Sequence, residues 1–327
     1  MRPDILDILA CPDCANRPSL DLAVEEENGQ DVRTGRLTCP ACRQVFPIVR
    51  GIPRFVADAE NYAENFAYEW VRWGRVQIDR FAGHSLSTRR FLADTRWPES
   101  WLKEKLVLDA GCGAGRFADV AATLGAHVVA VDLSGAVEAA RENTTDRVTL
   151  VQASLMRLPF RRGAFDGVYC MGVIQHVPDP EAVMSTLPDF LKSEGKLAYN
   201  FYERDWRTWF QPIKYALRSV TPRLGYATVH RLALMLTVLF FPVSWLLGHI
   251  RFVRFINVML PISAMHDREL TVRQQFIWTL LDTFDWYSPR YEIRQSHVAV
   301  ADVLRRAGLA EVNSAPGLAW GRMPARR

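Results

Sequence analysis

The chain has 327 residues, 49% of them apolar, with 40 Lys and Arg against 36 Asp and Glu for a formal net charge of +4. It exceeds the ~100–200 residues of a typical single domain, so it can bury a full core plus additions. It has no low-complexity runs and no internal repeats, which sets aside disordered and solenoid architectures.

Residues 1–10 lack a basic start followed by a long apolar run, so no signal peptide is expected and a cytoplasmic setting follows. Next come Cys11-Pro-Asp-Cys14 and Cys39-Pro-Ala-Cys42, two CxxC pairs in a segment with β-like alternation around Gly35–Leu37 and Val45–Val49. Each pair is a tight turn that points two thiolates at one place, and two such turns complete a tetrahedral zinc site. Four cysteine ligands leave no open coordination position, so the metal is expected to be structural. The alternative is two disulfides, for which nothing else in the chain argues. Residues 1–56 carry seven Lys or Arg against eight Asp or Glu, a poor electrostatic footprint for a polyphosphate backbone, so DNA is not expected and RNA is disfavoured.

Residues 57–105 read as a helical linker. Within 61–81, aromatics at Tyr62, Phe66, Trp70 and Trp73 fall three and four apart and make one stripe on a helix. That stripe either packs on the core or touches a ligand.

Residues 106–203 form the most informative part. Leu106–Leu108 reads as a buried strand, Asp109-Ala110-Gly111-Cys112-Gly113-Ala114-Gly115 as a glycine-rich turn, Arg116–Leu124 as a helix, and His127–Val131 as a second strand ending in Asp132. Glycines allow the sharp bend and let a ligand reach the backbone, while a carboxylate ending the second strand can accept both hydroxyls of a ribose. The pattern Asp-x-Gly-x-Gly-x-Gly differs from the dinucleotide pattern Gly-x-Gly-x-x-Gly, and an acid ahead of the glycines suits a cationic or amino-acid-bearing ligand better than a pyrophosphate. Further on come a helix at Ser134–Glu142, a strand at Val148–Ala153, Leu158-Pro159-Phe160, a strand at Phe165–Met171, then Gly172 to His176 and a helix start at Asp179-Pro180. A fifth strand is expected at Lys196–Glu203.

Residues 204–296 are apolar and basic, with twelve Lys or Arg against six Asp or Glu. Leu232–Ile250 is nineteen residues without a charge, flanked by Arg231, Arg251 and Arg254. Hydropathy alone allows a membrane span. The helix expected at Val298–Ala307 and the strands near Ala310–Ser314 and Leu318–Met323 must rejoin the sheet, however, so both ends of the insertion lie on one side. A helical lid over the active site, a membrane dip broken at Pro242 and a two-pass hairpin stay open, and peripheral membrane contact would run through 232–265. The first two favour a bulky or amphiphilic acceptor.

The order from Asp109 to His176 resembles class I S-adenosylmethionine (SAM)-dependent methyltransferases of the ubiquinone and menaquinone biosynthesis type. The segment ending Phe46-Pro-Ile-Val-Arg-Gly-Ile-Pro-Arg-Phe55 resembles the small zinc-ribbon protein that activates tRNA and protein methyltransferases. Asp282-Thr-Phe-Asp-Trp-Tyr-Ser-Pro-Arg-Tyr291 resembles a recurring segment of ribbon-fused methyltransferases, many of which act in surface-glycan or lipid pathways, and the segment is expected to face the acceptor. The resemblance implies an α/β, Rossmann-like, mostly parallel sheet with a closing antiparallel hairpin strand (residues 106–203 and 297–327), a β-rich zinc ribbon (1–56) and a helical insertion (204–296) before the last helix. It implies SAM contacts from Asp109, Ala110, Gly111, Cys112, Gly113, Gly115, Asp132, Leu133, Ser154, Leu155 and Cys170. Many relatives carry aspartate where Ser154 stands, and a serine hydroxyl is the weaker acceptor for an adenine amino group. His176, at the open edge of the sheet, is the expected base if the acceptor needs one, with Tyr199 and Tyr287 as further catalytic candidates and Tyr202, Asp285 and Tyr291 as acceptor contacts. The expected function is methyl transfer to a bulky small-molecule, lipid-linked or glycan acceptor, in the cytoplasm or at the inner face of a membrane. The alternatives are a zinc-ribbon RNA methyltransferase and an inactive SAM-binding regulator.

Overall fold

The computed structural model describes residues 1–56, 62–250, 252 and 254–325, without the side chains of Arg207 and Arg254. The linker start at 57 and Arg251 lie outside the described residues. Four antiparallel strands, β1 (Asp21–Asn28), β2 (Asp31–Thr38), β3 (Val45–Val49) and β4 (Ile52–Pro53), pair in sequence order. The second sheet holds β5 (Leu106–Ala110), β6 (His127–Asp132), β7 (Val148–Gln152), β8 (Phe165–Met171), β9 (Leu191–Asn200), β10 (Ala310–Ala315) and β11 (Leu318–Arg322). Its order is β10-β11-β9-β8-β5-β6-β7. The strands from β9 to β7 are parallel, and β11 is antiparallel to both neighbours.

The valine-rich strands β5 and β6 are buried on both faces, as a parallel sheet between helices requires. Strand order reverses between β8 and β5, the switch point that opens a crevice at the carboxyl ends of the strands. The α/β sheet with a closing hairpin and a β-rich N-terminal unit is therefore the expected architecture. β9 begins at Leu191, five residues before the expected Lys196, and ends at Asn200. The polar start Lys192-Ser-Glu194 hid it, because those residues sit exposed at the strand's outer end.

The N-terminal unit is welded to the large sheet. Arg54 forms a parallel bridge to Gln152, the last residue of β7, Phe55 donates its N–H to the Gln152 carbonyl at 2.7 Å, and Leu9 bridges Phe160. Arg17 donates to the carbonyls of Leu158 (2.7 Å) and Phe160 (3.0 Å). Leu9, Leu37, Phe46 and Phe55 share one buried core with Val151, Leu158, Phe160 and Phe165.

The insertion contains two long helices. Val272–Tyr287 starts at a capping box, in which Thr271 accepts the Gln274 N–H and Gln274 accepts the Thr271 N–H. Tyr226–His249 runs unbroken through Pro242, which removes the break that the membrane-dip alternative placed there. Pro242 sits on the exposed face of the helix, where the carbonyl that loses its donor can turn to solvent. The inward residues Val229, Ala233, Leu236 and Phe241 pack with Leu280, Leu281, Phe284 and Trp73.

Candidate functional site

One cavity of about 570 Å³ opens at the switch point. Its floor is the glycine turn. Gly111 and Cys112 donate their N–H groups to the Val131 carbonyl at 2.8 and 2.9 Å, which folds the turn back over β6. Gly111 (φ +93°) and Gly113 (φ +52°) hold left-handed backbone, and a Cβ on Gly113 would lie 2.8 Å from the Trp70 indole nitrogen. Trp70 sits on helix Glu64–Trp73, which crosses above the turn and places Phe66, Glu69 and Trp70 in the cavity wall. The aromatic stripe of residues 61–81 thus meets both the core, through Trp73, and the cavity.

Asp132 ends β6 with one carboxylate oxygen accepting the Gly113 N–H at 2.8 Å and the other accepting the Ser134 N–H (2.9 Å) and hydroxyl (2.7 Å). It lines the cavity with Leu133, Leu155, Gly111, Cys112 and Gly113. Five expected contacts lie elsewhere. Asp109 is buried beneath the turn outside the cavity lining, and its carboxyl is pushed up to about 8, mainly by burial. Ala110, Gly115 and the fully buried Cys170 stay within the packed layer under the cavity. The Ser154 hydroxyl accepts the Met156 N–H at 3.3 Å within its own turn, leaving Leu155 as the wall on that side.

His176 lines the far end, in a short turn after β8, 4% exposed. Its Nδ1 lies 2.9 Å from the Tyr291 carbonyl, which can only accept, so Nδ1 carries a hydrogen. Nε2 is 3.9 Å from Asp285, whose other oxygen accepts the Tyr202 hydroxyl at 3.2 Å. Phe66 and Tyr202 flank the imidazole at ring separations of 5.4 and 5.6 Å. Tyr199 and Tyr287 do not join it. Both are fully buried and donate to backbone carbonyls, Tyr199 to Met184 (3.0 Å) and Tyr287 to Pro261 (2.9 Å), so their hydroxyls serve packing. Tyr291 contributes its carbonyl rather than its ring.

Sequence reasoning missed Glu69, Arg116 and Gln175, whereas Asp282 belongs to the segment expected to face the acceptor and does line the cavity. Asp282 and Asp285 lie one turn apart on helix Val272–Tyr287 and line the same cavity as Glu69. Burial, with Asp285 and Asp282 adding, holds the Glu69 carboxyl well above its usual range, and its Oε2 has no hydrogen-bond partner among the described residues. Gln175 likewise has a buried Oε1 without a partner among the described residues. Arg116 donates to Ser87 (2.8 Å) and Gln77 (3.0 Å), and burial lowers its guanidinium to about 9. A signal was present for Glu69: Asn65, Glu69 and Trp73 share one buried helix face, where two polar residues are out of place unless they have partners.

Asp282 is pushed up to about 7 by burial, then by Asp285, against the opposing pull of Arg116 and Arg90. The folded chain keeps this proton to near pH 7, whereas the unfolded chain releases it near 3.8, so stability falls as pH rises between those values. Asp282→Asn is expected to flatten that slope and raise the melting temperature at pH 8. Identical pH profiles for the two proteins would contradict this.

At the N-terminus, the four Sγ atoms of Cys11, Cys14, Cys39 and Cys42 lie within 4.8 Å of one another, and all are free thiols. The Cys42 N–H points at the Cys39 sulfur at 3.5 Å. The thiols form one four-point cluster, not two bonded pairs, and its donor set and spacing fit a tetrahedral metal.

Residues 108–199 match the methyltransferase domain family and residues 2–51 the Trm112p-like protein family. The chain is similar to the ubiquinone biosynthesis O-methyltransferase of Xanthomonas euvesicatoria pv. vesicatoria (strain 85-10), 38% identical over 120 residues, covering 34% of this chain and 45% of that protein. It is 40% identical over 96 residues to the protein of the same description from Xanthomonas oryzae pv. oryzae (strain PXO99A), covering 28% and 40%. The chain thus spans less than half the length of these curated relatives. Among solved structures, a complex between the Haloferax volcanii Trm112 methyltransferase activator and a putative methyltransferase aligns with 16% identity and a TM-score of 0.45, covering 80% of this chain and 98% of that one.

Proposed function

We propose that this chain, which carries a class I methyltransferase domain joined to a Trm112-like segment, moves the methyl group of SAM onto a bulky or amphiphilic small-molecule, lipid-linked or glycan acceptor. The observation that carries this reading is the single cavity that runs from the glycine turn and Asp132 to His176, with room for a cofactor and the head of an acceptor. Asp132 would hold the ribose hydroxyls, Leu155 the adenine face, and the backbone of Gly111–Gly113 the amino-acid end.

The sulfonium brings its own leaving group, so the chain's task is to align the acceptor with the methyl and keep water away. Phe66, Trp70, Tyr202 and Trp286 supply the dry walls. For a hydroxyl acceptor, His176 Nε2 takes the proton as the new bond forms, and Asp285 steadies the resulting imidazolium. His176→Gln is expected to lower the transfer rate by about 10²–10⁴ while leaving the affinity for SAM unchanged by calorimetry. An equal loss of both would assign His176 to cofactor binding instead.

The cysteine cluster would hold a structural zinc, and the zinc would serve the fold rather than the chemistry. We place the enzyme in the cytoplasm, in peripheral contact with a membrane through residues 232–265. Against an RNA acceptor stands the charge of the Trm112-like segment, seven basic against eight acidic residues over 1–56.

A further inference from the structure

From Trp206 to His266 the sequence holds seven Lys or Arg and not one Asp or Glu. In the fold this stretch leaves the cavity rim after Asp205 and returns to it at Ser263, both of which line the cavity. Between them, helix Tyr226–His249 buries only one face. Its other face, Leu234, Met235, Val238, Leu239, Val243 and Leu246, is exposed, and the three-and-four spacing makes it one continuous apolar stripe. Turns Trp206–Phe210 and Arg254–Met259 lie against each other and, together with the separate Phe252 (85% exposed), add Trp209 (86%), Phe255 (69%) and Trp206 (68%). Isolated exposed apolar residues are ordinary, but a stripe along a whole helix with four open aromatics is a contact surface.

We propose that this surface docks on an anionic bilayer, with the helix lying in the plane of the interface, and that the acceptor is an amphiphile whose head group enters the cavity directly from the lipid at the Asp205–Ser263 rim. The inference deepens the acceptor reading given under Proposed function and rests on it. Charge selects the occupant: a cationic segment free of acids is complementary to anionic headgroups, whereas two copies of it facing each other would set seven cations against seven. The inward face fixes the orientation. Val229, Ala233, Leu236 and Phe241 are committed to the protein, so a crossing helix would drag helix Val272–Tyr287 and the cavity wall into hydrocarbon. Arg223 and Arg231 are exposed at one end of the stripe and reach headgroups while the aromatics sit at the boundary below.

The test uses the full chain with vesicles of phosphatidylcholine alone and phosphatidylcholine mixed with phosphatidylglycerol, some carrying brominated acyl chains, and SAM calorimetry run alongside. The protein should partition onto the anionic vesicles and its tryptophan emission should be quenched by the brominated chains. The triple variant Trp209→Ser, Leu239→Ser, Phe252→Ser should lose roughly tenfold in partitioning with SAM affinity unchanged, which also shows that it is folded. Absence of partitioning, adsorption without quenching, or a dimer that the triple variant abolishes would each overturn the proposal. Failure of the methyltransferase reading would instead appear as no SAM binding with vesicle docking intact.

Discussion

Replacing Asp132 with alanine is expected to weaken SAM binding roughly 100-fold, about 2.7 kcal/mol. The carboxylate has two tasks. It offers charged acceptors toward the cavity, each such hydrogen bond being worth about 1.5–3 kcal/mol. It also fixes the glycine turn by accepting the Gly113 N–H, so its removal frees the backbone on which the amino-acid end would rest. Asp132→Asn, which keeps an acceptor and the side-chain volume, should lose less. Calorimetry with each variant decides the matter, provided their melting temperatures show the fold is kept; an unchanged dissociation constant for the alanine variant would remove the ribose assignment.

The second large effect concerns the cysteine cluster, which does not line the cavity yet shares a core with the sheet. Cys11→Ser combined with Cys42→Ser, or exhaustive chelation, is expected to lower the melting temperature by roughly 10 °C. The loss should spread, because Leu9, Phe46 and Phe55 pack on the same core as Val151 and Phe160, and Arg157 pairs with Asp13 at 2.9 Å. Arg54, which bridges Gln152 and pairs with Glu138, extends the sheet past β7, and β7 leads into Leu155. Metal loss should therefore weaken SAM binding as well as stability. Two separate melting transitions, with SAM binding intact after the first, would contradict this coupling.

The parts of the molecule most legible in the sequence are those set by backbone geometry. The glycines between Asp109 and Gly115 dictate a turn, Asp132 follows from the strand that precedes it, and the CxxC spacing brings four thiols together. Asp179 caps the helix begun by Pro180, accepting the Ala182 N–H at 3.0 Å, as the dipeptide suggests. What stayed hidden depends on contacts made far along the chain. Tyr199 and Tyr287 look like catalytic tyrosines until tertiary packing seals their hydroxyls against backbone carbonyls. Glu69 and Asp282 come from helices separated by some two hundred residues of sequence and become one acidic wall only when the insertion folds back.

The insertion shows why hydropathy alone misleads. Its apolar run could be a span, a dip or a lid, and the fold gives its two faces separate tasks. The wall over the cavity comes from helix Val272–Tyr287, while the more apolar helix Tyr226–His249 lies behind it and turns a stripe outward. Length and composition do not reveal that division, since both faces of the outer helix read alike.

Methyl transfer from SAM to an amphiphilic acceptor is tested by incubating the purified protein and methyl-labelled SAM with separate membrane-lipid, soluble-metabolite and RNA fractions of a cell extract. Label is expected in the lipid fraction, dependent on His176 and Asp132. Label confined to RNA or to small polar metabolites, or to no fraction at all, would contradict it.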